Sequence, residues 1–175
     1  DITDPESISA VVDVIQQHHD SIDILINNAG YALVSTVEHA TEEEMFNQFN
    51  INVFGILRVT KAVIPLMRKL DSGVIINISS FLGKIGLPLF TFYNASKYAV
   101  EGITDSLRYE LEPFNIRVHS ILPGFFKTHF ASENLIINNE VINQATQYKP
   151  IVDKLVPKIT EQINEGNESL EADKL

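Results

Sequence analysis

The sequence has no cysteine and no tryptophan, and only two methionines, among its 175 residues. Without cysteine there are no disulfides and no thiolate metal sites, a composition that fits a reducing compartment. Positive charge is scarce. Thirteen Lys and Arg stand against 23 Asp and Glu, a formal net charge of −10. Nucleic acid and anionic membrane surfaces select basic patches, so neither is expected as a partner. No uninterrupted apolar run reaches the ~18 residues of a membrane-crossing helix. The five histidines show no ligand spacing, and no metal is expected. His18 and His19 end a polar helix and read as surface residues. His119 alternates with apolar residues and is expected to be packed. Glycine is also sparse, at eight residues, and none forms a glycine-rich turn near the start.

What is present is a core. Hydrophobic residues make up 45% of the chain, enough for one folded domain over 1–175. The amphipathic stretch from Pro5 to His19 predicts a helix with Asp4 as N-cap, Pro5 at its first position and Ile8, Val11, Val12 and Ile15 on one face. Residues 22–27 predict a short buried strand, and 31–40 a loop. Thr41 and Glu44 form a capping box opening a helix to about Leu70, with Phe46, Phe49, Val53 and Leu57 as core candidates and Pro65 as a kink. Residues 73–79 and 116–122 predict two more buried strands. A helix over 91–112 lies between them and stops at Pro113. Residues 132–149 are expected to be a mobile helix or loop, and 158–175 polar and exposed. Strands alternating with helices predict an α/β fold, a doubly wound parallel sheet of Rossmann-like type.

The chemistry concentrates in Ser80, Tyr93 and Lys97. Positions i and i+4 share a helix face, which places Lys97 beside Tyr93. A free tyrosine titrates near pH ~10, and a neighbouring cation favours its phenolate. At ~4 Å and an effective dielectric of ~20 the attraction is about 4 kcal/mol, an upper bound of roughly three pKa units. Such a tyrosine suits general acid/base catalysis. Ser80, arriving from another element, can donate a hydrogen bond to the same substrate oxygen. A Tyr-x-x-x-Lys pair alone is unspecific, because solvated helix faces carry such pairs by chance.

Its neighbours give it weight. Asn27-Asn28-Ala29-Gly30 follows an apolar run and ends it in a turn. Asn52 is an amide inside an apolar helical stretch, where propensity disfavours it. Pro123-Gly124 and Thr128 follow the last strand. In this order and spacing the chain resembles a short-chain dehydrogenase/reductase of the compact, single-domain branch. The resemblance covers Asp1 to about Thr128, and the rest more loosely. It implies that Tyr93 is the acid/base, that Lys97 lowers its pKa and binds the nicotinamide ribose, and that Ser80 positions the carbonyl. It implies that Asn52 holds a water in a proton relay to Lys97. Asp1, Asn27, Ala29, Gly30, Pro123, Gly124, Phe126 and Thr128 match cofactor-contacting positions. Asn28 reads as a tie between strands.

The implied activity is hydride transfer between NAD or NADP and an alcohol or carbonyl. Residues 81–90 with Phe125, Phe126 and Phe130 suggest an apolar substrate. Helices 41–70 and 91–112 resemble the family's dimerisation surface, so a homodimer or homotetramer is expected. Cytoplasmic localisation is expected. Two other readings stand beside this one. The first is an extended-branch nucleotide-sugar epimerase or dehydratase, which the Asn-Asn-Ala-Gly turn and the Ser-to-Tyr spacing disfavour. The second is an inactive fragment or a binding and dimerisation module. A dinucleotide-binding fold opens with a strand, a glycine-rich turn and a helix. The fold is therefore expected to be incomplete at both ends, as part of a longer protein.

Overall fold

A computed structural model describes residues 1–19, 21–124, 130, 133–143 and 147–165. The chain runs through α1 (Pro5–His18), β1 (Ile24–Asn27), β2 (Ala32–Val34), α2 (Glu42–Phe49), a π-helical turn (Asn50–Gly55) and α3 (Ile56–Lys69). It continues through β3 (Gly73–Ile78), a 3-10 turn (Phe81–Gly83), α4 (Thr91–Leu111) and β4 (Ile116–Ile121). Three further elements are described: β5 (Leu135–Ile137), α5 (Asn139–Asn143) and α6 (Lys149–Glu165). Both anticipated helix starts are present. Asp4 accepts from the Glu6 amide with Pro5 beside it, and Thr41 and Glu44 form the reciprocal capping box.

Strands β1, β3 and β4 form a parallel sheet in the order β1-β3-β4. Its core contains Val63 and Met67 of α3, Ile75 of β3, Leu107 and Leu111 of α4, and Ile116 and Val118 of β4. Each such buried side chain contributes roughly 1.5–3 kcal/mol. The expected α/β class and parallel pairing are both present. A second parallel pair, β2 with β5, borders another core of Ala32, Val34, Leu82, Leu89, Phe90 and Tyr93.

Several local expectations are corrected. Strand β1 is an edge strand, and Ile24 and Ile26 are exposed on one face. None of the residues of α1 is buried. The predicted loop 31–40 contains β2, and the segment predicted mobile contains β5 and α5. Both strands are three residues long, too short for a periodic signal. Ile159 of α6 is buried, within a stretch predicted to be exposed.

The predicted helix 41–70 is a continuous helical run, but its phase shifts at the π-helical turn. The wider turn brings Asn52, Val53 and Ile56 inward and leaves Phe46 and Leu57 exposed. Extrapolating one helical period through it therefore misassigns both residues. By length and composition the run Glu42–Lys69 could cross a membrane. Here it buries Ile56, Val63, Leu66 and Met67. His119 is exposed, because alternation in β4 turns Ile116 and Val118 inward and Arg117 and His119 outward. His18 and His19 are exposed.

Candidate active site

The site lies at the C-terminal ends of the parallel strands, where open α/β sheets bind their ligands. The Ser79 amide donates to the Ile121 carbonyl at 2.8 Å, and the Phe81 amide to the Pro123 carbonyl at 3.1 Å. These bonds hold the tips of β3 and β4 together. Ser80, 6% exposed, caps the 3-10 turn by accepting from the Leu82 amide at 3.1 Å.

Helix α4 brings Tyr93 to Ser80, close enough for the serine hydroxyl to favour the tyrosine's phenolate. Tyr93 is 7% exposed. The Phe90 and Phe130 rings flank it, with centroids at 6.2 and 6.3 Å. Leu89, at φ 68°, accepts from the Ser35 amide and ties this apolar wall to the end of β2. A left-handed backbone is unusual for a leucine, and such conformations cluster near functional sites.

One turn beyond Tyr93 the Lys97 ammonium lies 5.6 Å from the tyrosine ring centroid. It donates to the Ile78 carbonyl at 2.8 Å. Burial pushes Lys97 down to about 8, and the Glu101 carboxylate opposes that shift. Burial raises Tyr93 above its usual 10, and the Ser80 hydroxyl opposes the rise without cancelling it. The expected lowering of the tyrosine by the lysine is therefore not what this arrangement produces. The phenolate loses more to desolvation than it gains from its neighbours.

Asn52 is fully buried in the π-helical turn, a feature frequent at functional sites. Its Oδ1 accepts from the Tyr31 amide at 3.1 Å, and its Nδ2 donates to the Tyr31 carbonyl at 2.9 Å and Ser96 Oγ at 3.1 Å. Both of its N–H donors are used, so holding a relay water would fall to the remaining lone pair of Oδ1 or to the backbone. Gly30 sits between Asn52 and Lys97. A Cβ there would lie 3.1 Å from Asn52 Oδ1 and 3.8 Å from Lys97 Nζ. The glycine leaves bare backbone beside both groups.

Asn27 has a structural position. Its Nδ2 donates to Thr60 Oγ1 at 3.1 Å and Asn77 Oδ1 at 2.9 Å, and Asn77 donates onward to Thr104. The tie between strands is thus Asn27, while Asn28 and Ala29 are exposed. The reason is strand alternation, which turns Asn27 to the side of α3 and α4. Pro123 and Gly124 border the Ser80 turn through the Pro123 carbonyl. The Asp1 carboxylate accepts from the Thr3 amide and hydroxyl. Phe125, Phe126 and Thr128 lie outside the described residues.

Two residues of α4 escaped the sequence reading. Asn94 donates to the Leu82 and Ile85 carbonyls at 2.8 and 2.6 Å. Glu101, 7% exposed, pairs with Lys84 at 3.0 Å. A glutamate one turn beyond Lys97 was the available signal.

A sequence profile described as short chain dehydrogenase matches residues 1–136. The chain belongs to the short-chain dehydrogenase family. A 3-ketodihydrosphingosine reductase of Bacteroides thetaiotaomicron is 43% identical over 148 residues, covering 85% of this chain and 54% of the relative. A short-chain dehydrogenase from Streptomyces avermitilis is similar in structure, with a TM-score of 0.81 at 35% identity, covering 95% of this chain and 58% of that one. A xylitol dehydrogenase solved with NAD+ gives a TM-score of 0.71 at 34% identity, covering 74% of this chain and 50% of that one. This short-chain dehydrogenase chain thus spans about half the length of the curated relatives it matches.

The donor set fits the sugar hydroxyls of a dinucleotide. Lys97 has three N–H donors, of which one is accounted for by Ile78. The bare backbone of Gly30 lies next to it.

Proposed function

We propose that this short-chain dehydrogenase chain carries the reacting groups of an NAD- or NADP-dependent oxidoreductase that interconverts an alcohol and a carbonyl. The observation that carries this reading is the convergence of Ser80, Tyr93 and, one turn away, Lys97, all three buried at the strand ends with the Ser80 hydroxyl acting on Tyr93. The nicotinamide ring, when bound, supplies or accepts the hydride. The protein provides orientation, hydrogen bonding and the proton.

Tyr93 holds its proton at neutral pH, since burial raises it above 10. It is poised as an acid, donating to the oxygen of a carbonyl under reduction. In oxidation Tyr93 first releases its proton to solvent, and its phenolate oxygen then takes the substrate's hydroxyl proton. Ser80 donates a hydrogen bond to the substrate oxygen and holds it beside Tyr93. The Lys97 ammonium binds sugar hydroxyls and favours the developing phenolate. Gly30, Ala29, Pro123 and Gly124 offer backbone to the cofactor, with Asn27 supporting the turn from beneath. Asp1, Phe126 and Thr128 complete the set by family resemblance, and Asn52 anchors the relay to Lys97.

An apolar alcohol or ketone is the substrate class that the flanking Phe90 and Phe130 rings favour. One relative is named as a reductase of 3-ketodihydrosphingosine. Exposed Phe46, Phe54, Leu57, Tyr98 and Tyr109 on the two long helical runs support homo-oligomerisation through those faces. A cytoplasmic setting agrees with the absence of cysteine.

The test is Tyr93→Phe in the intact protein, assayed with NADH and NADPH against a panel of apolar ketones. Turnover is expected to fall roughly 10²–10⁴-fold while cofactor binding, followed by fluorescence, persists. Unchanged turnover would remove Tyr93 from the reaction. Cofactor binding by the wild-type chain without turnover of any ketone or alcohol would favour the binding-module reading.

A further inference from the structure

Helix α4 does more than carry Tyr93 and Lys97. Tyr93, Lys97 and Glu101 follow one another at single-turn spacing on one face. Asn94 sits at the edge of that face. The segment after Ser80 is fastened to this helix at four points, Leu82, Lys84, Ile85 and Leu87. Asn94 donates to the carbonyls of Leu82 and Ile85, and its Oδ1 accepts from the Leu87 amide at 3.3 Å. Glu101 Oε2 pairs with the Lys84 ammonium at 3.0 Å and accepts from Ser120 Oγ at 3.4 Å.

Gly83 seats the turn directly on the helix. A Cβ there would lie 2.9 Å from Ser79 Oγ, 3.0 Å from the Lys97 carbonyl and 3.1 Å from Glu101 Cγ. Two of these neighbours belong to the helix itself, so the turn cannot come this close with a larger residue. Ser80 lies between β3 and this turn and caps it. Where the turn sits therefore decides where the Ser80 hydroxyl points.

We propose that Asn94, Glu101 and Lys84 form a clamp that docks the turn at 81–83 onto α4 and so positions the Ser80 hydroxyl against Tyr93. The three are positioning residues, and their role in turnover rests on the reaction proposed above. The clamp also explains why an acidic side chain is buried in the middle of this helix. The Glu101 side chain is 9% exposed and that of Lys84 57%, so the pair leaves its cation in solvent and its anion against the site. Burial by itself would raise the Glu101 carboxyl, but Lys84, Ser79 and Ser120 outweigh it and the net shift is downward. The Ser79 hydroxyl favours the carboxylate electrostatically but lies outside bonding geometry, as does Glu101 Oε1. The charged groups facing Glu101 are Lys84 and Lys97, with Asp105 and Arg108 acting on Lys84.

The placement of the Ser80 hydroxyl has a readout that needs no substrate. Beside Tyr93 that hydroxyl lowers the tyrosine pKa, so moving it away raises that pKa. Tyr93 is titrated by tyrosine ring NMR in the intact protein, with its signal assigned through Tyr93→Phe. Lys84→Met, Glu101→Gln and Asn94→Ala are compared with Ser80→Ala, which defines complete loss of that hydroxyl. The clamp predicts an upward shift in each variant, toward that of Ser80→Ala. Lys84→Arg, which keeps the ion pair, restores the wild-type value. Lys84→Met combined with Glu101→Gln should shift no further than either alone, because both break one contact.

In turnover assays with NADH and apolar ketones the same variants should lose about 10-fold in kcat, with KM and cofactor binding unchanged. A Tyr93 titration at the wild-type position in Lys84→Met and Glu101→Gln would overturn the clamp. So would kcat losses that disappear once melting temperature is matched by cooling. Clamp variants that behave as predicted in the titration, alongside full turnover by Tyr93→Phe, would instead refute the reaction and leave the clamp standing.

Discussion

The Lys97 ammonium donates a 2.8 Å hydrogen bond to the backbone carbonyl of Ile78, the residue that ends β3. One bond thus joins the helix carrying the proposed acid to the strand that delivers Ser80. It also holds the ammonium inside the protein, 5.6 Å from the tyrosine ring centroid, where burial lowers its own pKa.

That position has a pH signature. Lys97 titrates at about 8 in the folded protein and near ~10.4 in an unfolded chain. Between these values the unfolded chain holds more protons, so folding stability rises with pH across this window. The full rise is about 3 kcal/mol at most. Lys97→Met should flatten it in urea unfolding curves taken from pH 7 to 10. Turnover, which uses the ammonium, should decline in the wild type as pH passes 8. A stability curve without slope in this window would show that Lys97 is not desolvated.

The two adjacent serines should separate cleanly. The Ser80 hydroxyl acts on Tyr93, whereas Ser79 Oγ is buried without a hydrogen-bond partner. Ser80→Ala is expected to lower kcat by about 10²-fold, the scale of a lost oxyanion donor. Ser79→Ala should stay near wild type in both kcat and stability, since it removes an unsatisfied hydroxyl. The reverse order in kcat would mean that the other serine faces the substrate.

Asn52→Ala should be felt first in stability. It leaves the buried Tyr31 amide without its acceptor and opens space in the π-helical turn. A loss of about 2 kcal/mol is expected in denaturant midpoints. Ser96, which bonds both Asn52 and the Tyr93 carbonyl, links this change to the start of α4. A fall in kcat should therefore accompany it. Wild-type stability would show that water replaces the amide without penalty.

The helix starts at Asp4 and Thr41, the parallel strands, and the Ser80/Tyr93/Lys97 set were all legible in the sequence. Each rests on spacing along one element or on a short motif, and local backbone geometry converts such spacing into position. Strands β2 and β5 were not legible, because their pairing joins residues about a hundred apart in sequence and each is only three residues long. Phe46 was misplaced for a related reason, since a single wide turn at Asn52 changes the phase of everything around it.

The sequence by itself determined which residues are candidates for the chemistry and which elements carry them. Tertiary structure alone decided their electrostatics. Desolvation depends on what surrounds a group from every side, so only the folded chain raises Tyr93 and lowers Lys97. Likewise, only close approach of the Gly83 turn to α4 gives Asn94, Glu101 and Lys84 a common task.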